Sequence, residues 1–145
     1  MLRLAAKLRN RMLKAGFTDN GGAIHSAERI LDILSQRVKY PALRHGNSYK
    51  NQPYAEFSPS ASEDYDNGVP VFLEHVAPIR DYTREVIKRM DRGDSDRKIL
   101  NFINRNYQLV LLSSAETKLL NSTNRSKMNA DRLKSAGINK LIRKV

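Results

Sequence analysis

The chain has 145 residues, 40% of them hydrophobic and 28% charged, and no cysteine. That length suits one domain, or a small domain with a helical appendage, and excludes a two-lobed enzyme with separate cofactor and substrate domains. The missing thiols exclude a disulfide staple, a cysteine nucleophile and a cysteine-ligated zinc. Lys and Arg number 26 against 15 Asp and Glu, a formal charge of +11; such an excess points to a polyanionic partner, nucleic acid first. No run approaches the roughly 20 apolar residues of a bilayer span, so a cytoplasmic protein with no membrane partner is expected.

The elements follow in chain order. Leu2, Leu4, Ala5, Leu8, Met12 and Leu13 recur at helical spacing between basic residues, predicting a short basic amphipathic helix that ends near Gly16. A second helix carries Ile24, Ala27, Ile30, Leu31, Leu34 and Val38 on one face and stops before Pro41. Residues 1–40 therefore read as a helical segment. Residues 41–69 are rich in Pro, Gly, Ser and Tyr and read as a linker or loop. The basic excess lies on either side of this stretch, which itself holds two basic and four acidic residues.

From Pro70 the pattern changes. Val71-Phe72-Leu73 reads as a strand entered from the Asn67-Gly68 turn. Tyr82, Val86, Ile87 and Met90 are spaced for a helix that Gly93 interrupts, and Ser95 or Asp96 caps the next one, around Ile99, Leu100, Phe102 and Ile103. Gln108-Leu109-Val110-Leu111-Leu112 is the stronger strand. Ser113 to Glu116 fits a capping box at the start of a helix through Leu119 and Leu120. The last twenty residues mix Lys and Arg with Leu133, Ile138, Leu141 and Ile142.

Three short stretches carry chemistry: Glu74-His75-Val76-Ala77-Pro78, the strand after Asn106 and Gln108, and Asn121-Ser122-Thr123-Asn124-Arg125-Ser126-Lys127. Over about residues 70–130 the chain resembles the HNH, or His-Me finger, endonucleases. Their first motif is an acidic residue and a His leaving a strand, followed by an apolar residue, a variable one and Pro. Their second is an Asn beside an apolar strand, and their third a His or Asn on the following helix, often trailed by Arg, Ser and Lys.

The resemblance implies an α+β, mostly helical fold, with a small two-stranded ββα-metal unit in residues 70–145 and a basic C-terminal tail, braced by the N-terminal helices. It implies a metal-dependent endonuclease of DNA, with RNA as the alternative substrate. In that reading His75 is the general base, since an imidazole titrates near neutrality. Glu74 and a helix Asn, Asn124 first and Asn121 second, hold Mg2+ or Mn2+ through hard oxygen donors. Asn121 and Asn124, with Thr117, share one helix face. Gln108 stands where the family carries the Asn that orients the His; Asn106, two residues earlier, is the alternative. Arg125 is the candidate for transition-state charge, and Lys127, Arg132 and Lys134 for nucleic-acid contact. Contacts of this kind position without reading bases. A non-catalytic DNA- or RNA-packaging or ribosome-associated protein explains the charge equally but leaves the Glu74–Pro78 match as coincidence. An acidic inhibitor protein and a second copy of the chain are further partners compatible with the basic surface. His25, near a helix start, and His45, in a loop, stand outside any motif.

Overall fold

In chain order the protein forms α1 (Leu2–Lys14), α2 (Gly22–Lys39), a 3-10 turn (Gly46–Asn51), β1 (Glu56–Phe57), α3 (Pro59–Asp66), β2 (Phe72–His75), α4 (Ile79–Asp91), α5 (Asp96–Asn106), β3 (Leu109–Leu112), α6 (Ser114–Ser122), α7 (Arg132–Ser135) and β4 (Ile142–Arg143). The structure is a computed structural model, and it describes residues 1–122 and 132–144. The class is α+β and mostly helical, as expected. The chain divides into two compact units, one made of Met1–Ala42 with Ile79–Tyr107, the other of Leu43–Pro78 with the chain from Gln108 onward.

The first unit is helical. α2 contributes Ile24, Ala27 and Leu31, α4 contributes Tyr82, Val86, Ile87 and Met90, and α5 contributes Ile99, Phe102 and Ile103, all buried. Each such side chain stabilises the fold by roughly 1.5–3 kcal/mol when fully withdrawn from water. Tyr82 stacks on Phe102 at 5.9 Å between centroids and meets Tyr107 edge-on at 5.3 Å. The Tyr107 hydroxyl donates to Asp32 Oδ1 at 2.5 Å. Arg9 of α1, itself buried, donates to the buried Glu28 of α2 at 3.2 Å, so each charge is compensated.

Two expectations are corrected here. α1 and α2, read as a brace for the strands, have α4 and α5 as their partners within their own unit. Residues 70–145 are accordingly not one core: 79–107 belong to the helical unit, because the apolar stripes of α4 and α5 complete its interior.

The second unit holds a four-stranded sheet in the order β2-β3-β1-β4. β3, with all four residues buried, lies between an antiparallel β2 and a parallel β1; β4 runs antiparallel to β1. Of residues 41–69, expected as a linker, 43–69 are folded into this unit. Phe57 pairs with Leu111, and the Ser58 N–H donates to the Leu111 carbonyl at 3.0 Å. Ser58 also caps α3, accepting from Ala61 N–H at 3.0 Å with Pro59 in the first turn. The buried Tyr49 ties the 3-10 turn to β3 by donating to the Leu109 carbonyl at 2.9 Å. The sheet is thus wider than the two strands expected. Val110, Leu112 and Leu120 pack with Ala136 and Ile138 in one apolar cluster, with Val76 and Leu133 against it.

Candidate functional site

β2, β3 and α6 set the geometry. Register pairs Glu74 with Val110 and His75 with Leu109. The capping box forms as expected and aims α6: Ser113 N–H donates to Glu116 Oε2 at 2.9 Å, and Glu116 N–H donates to Ser113 Oγ at 3.3 Å. The same Glu116 oxygen accepts from Ser58 Oγ at 2.5 Å, joining the start of α6 to the start of α3. Leu120 anchors α6 in the apolar cluster, and Asn121, the next residue, reaches the strand. Its Nδ2 donates to Glu74 Oε1 at 3.3 Å.

Alternation along β2 sends Glu74 to the face that α6 covers and its neighbour His75 to the other. The two meet a common ligand only at the end of the strand, where the chain leaves through Val76-Ala77-Pro78. The Val76 N–H still donates to the Gln108 carbonyl at 3.0 Å, which holds that exit against β3.

Arg132, expected to contact nucleic acid, is 3% exposed and cannot reach a phosphate. Its Nη1 donates to the carbonyls of His75 at 2.7 Å and Val76 at 3.3 Å, and its Nη2 donates to Asn121 Oδ1 at 3.4 Å. Burial pulls its guanidinium below the ordinary arginine value, and the negative charge of Glu74 opposes that pull. One buried cation therefore holds the backbone of the candidate base and the amide of the candidate ligand. In sequence Arg132 is indistinguishable from the solvated basic residues around it, and no spacing marks it as internal.

The remaining expected site residues are dispersed. Gln108 donates through Nε2 to Glu56 Oε2 at 2.7 Å. Asn106 lies in the helical unit and donates to the Phe102 carbonyl at 2.9 Å, a bond within its own helix. Neither amide is thereby placed as a His-orienting group. Lys134 is exposed on α7. Asn124, Arg125 and Lys127 lie outside the described residues.

A divalent cation at this point would draw its oxygens from Glu74 and Asn121. Glu74 supplies hard carboxylate oxygens. Asn121 would supply its amide oxygen, but that oxygen accepts from Arg132 while the amide nitrogen faces Glu74. Arginine only donates and a carboxylate only accepts, so this orientation is chemically enforced. Turning the amide over would set its Nδ2 against the Arg132 guanidinium, donor against donor, so Asn121 could offer its oxygen to Mg2+ or Mn2+ only where Arg132 releases it, and in this arrangement Glu74 alone presents its oxygens. Among the described residues no group of three or more His, Asp or Glu converges as a metal cluster.

Set against known protein families, curated proteins and solved structures, the chain matches none of them. Among the described residues no helix is long and apolar enough to cross a membrane.

Proposed function

We propose that this chain is a metal-dependent endonuclease that hydrolyses DNA phosphodiester bonds at the end of β2. The observation that carries this reading is the hydrogen bond between Asn121 and Glu74, residues 47 positions apart that β2 and α6 bring together, with His75 the next residue along the strand. An acidic residue, a histidine and a helix amide at the mouth of an antiparallel strand pair are the groups that the HNH resemblance calls for, in a ββα arrangement.

The residues divide the work. His75 takes the proton of the attacking water, acting as general base. Glu74 would hold Mg2+ or Mn2+, with Asn121 as a second ligand where Arg132 releases its amide oxygen; the cation would supply charge neutralisation at the phosphate and the leaving alkoxide. Arg132 is a positioning residue: it fixes the His75 and Val76 carbonyls and thereby the direction in which the chain leaves the strand.

A second reading has its own support. The helical unit holds 16 of the 26 Lys and Arg with 8 of the 15 acids, whereas the unit with Glu74 and His75 holds 10 and 7. Charge is therefore concentrated away from the candidate chemistry, as in a nucleic-acid-binding protein without catalysis. Incubation with supercoiled plasmid separates the two. The nuclease converts it to nicked or linear forms with Mg2+ or Mn2+ and not with EDTA; a binding protein retards it and leaves it intact in all three.

A further inference from the structure

α4 and α5 are joined by the four residues Arg92-Gly93-Asp94-Ser95, with Gly93 at φ 86°, a left-handed turn that favours glycine. Ser95 then caps α5, accepting from Lys98 N–H at 3.4 Å. Two helices joined by so short a glycine-containing turn are an arrangement that αα-hairpins share with the helix-turn-helix, which places its second helix in the major groove of DNA.

The composition of α5 follows that requirement. Ile99, Phe102 and Ile103 are buried, which leaves Arg97, Leu100, Asn101, Asn104 and Arg105 exposed on the opposite side with Lys98 at its margin. At 100° per residue Arg97, Asn101 and Asn104 form the centre of that face, Lys98 and Arg105 lie to one side and Leu100 to the other. Arg reads guanine O6 and N7, Asn reads adenine N6 and N7, and an apolar group meets the thymine methyl.

The charges around α5 are sorted in the same sense. Asp96 accepts from Arg3 at 2.7 Å, Asp94 from Arg92 at 2.9 Å and 2.8 Å, Asp91 from Asn10 at 3.1 Å, and Glu85 pairs with Arg89 at 3.0 Å. Asp96, Asp94 and Glu85 are thus paired with arginines, while Asp91 is hydrogen-bonded to a neutral amide and keeps its charge. The side chains of Arg97, Asn101, Asn104 and Arg105 have no hydrogen-bond or ion-pair partner among the described residues, and Lys98 lies within electrostatic reach of Asp94 only, so α5 presents positive charge and open amides together.

We propose that α5 is a DNA-reading helix that enters the major groove of duplex DNA, with Arg97, Asn101 and Asn104 contacting base edges and Lys98 and Arg105 contacting phosphates. The helical unit then confers a sequence preference, a property that the Glu74–His75 site does not supply. This inference rests on the helical unit alone and stands whether or not the chain cleaves DNA.

The test is selection from a pool of random-sequence DNA duplexes by the full chain in EDTA, followed by sequencing. Wild type is expected to enrich a short motif containing guanine and adenine positions. Asn101→Ala and Asn104→Ala should each relax an adenine position, and Arg97→Ala a guanine position, by about 5- to 100-fold in discrimination. Lys98→Ala and Arg105→Ala should weaken all sequences alike and lower the salt slope by about one each. These side chains are exposed, and an unchanged circular-dichroism melt confirms that each variant is folded. Absence of any enriched motif, a motif unchanged in Arg97→Ala and Asn101→Ala, or preferential binding of structured RNA over duplex DNA would each overturn the proposal. Because no metal is present, failure here is independent of failure to cleave.

Discussion

Asn121 donates its amide nitrogen to Glu74 Oε1 at 3.3 Å, and the oxygen of the same amide accepts from the buried Arg132 at 3.4 Å. Glu74, Asn121 and Arg132 therefore form a polar chain in which every orientation is set by donor and acceptor type. The chain ends on the His75 carbonyl, 2.7 Å from Arg132. Stability and candidate chemistry share these residues, so each substitution needs a folding measurement beside an activity measurement.

Arg132→Met keeps much of the aliphatic stem but leaves the His75 and Val76 carbonyls without this donor. A loss of about 2–3 kcal/mol is expected, the cost of orphaned buried acceptors. Urea denaturation measures it. Arg132→Lys should recover only part, because an ammonium lacks the planar fork that serves three acceptors at once. A loss under about 0.5 kcal/mol for Arg132→Met would show that the clasp is dispensable.

Asn121→Asp places a second carboxylate against Glu74. In EDTA the two like charges should lower the melting temperature relative to wild type. Mg2+ should raise it again, and by more than in wild type, since binding at 100 times Kd is worth about 2.7 kcal/mol. Melting temperatures with and without Mg2+ read the cation site without any assay of cleavage. Equal shifts in both proteins would place any bound cation elsewhere.

Two buried tyrosines make the helical unit sensitive to alkali. Burial pushes the Tyr107 hydroxyl above the ordinary value of about 10, reinforced by the charge and hydrogen bond of Asp32; burial does the same to Tyr82, partly offset by the neighbouring Ser35 hydroxyl. A pKa raised in the folded state stabilises below the unfolded value and ceases to do so as pH rises through the folded one. Stability should therefore hold to about pH 10 and decline above it. Absorbance at 295 nm should show Tyr82 and Tyr107 among the tyrosines that ionise only with unfolding. Tyr107→Phe, which also loses the bond to Asp32, should cost about 1 kcal/mol and reduce the alkaline loss.

Glu116→Ala removes the acceptor for both Ser113 N–H and Ser58 Oγ. A destabilisation of about 1–2 kcal/mol is expected, at the level of a lost helix cap and one further hydrogen bond. Chemical denaturation checks it. Glu116→Gln, which still accepts, should retain about half.

Much of this was legible in the sequence where the signal is local. The helices α1, α2, α4 and α5, the apolar run of β3 and the Ser113–Glu116 capping box all formed, although Leu4, Leu8, Ile30 and Leu100, expected on apolar faces, are exposed. Long-range pairing was not legible. Glu56 and Phe57 make a strand of two residues in a stretch whose Pro, Gly and Ser content reads as loop, because β3 supplies the partner from over fifty residues away. The exchange of 79–107 into the helical unit has the same origin: a stripe shows that a face is buried, not what buries it. At the candidate site, Glu74 and His75 were visible as a motif and Asn121 as a helix-face residue. Arg132 was misread as solvent-facing, since periodicity carries no mark of a buried cation that serves backbone carbonyls.

The most direct measurement compares supercoiled-plasmid cleavage in Mg2+ by wild type, His75→Ala and Glu74→Gln. Glu74→Gln keeps an acceptor for Asn121 and should fold as wild type does, but loses the charge that holds the cation. Wild type is expected to cleave, and both variants to lose at least about 100-fold, the scale of a missing general base. Cleavage that persists in both folded variants, or none by wild type in Mg2+ or Mn2+, would contradict a nuclease site at the end of β2.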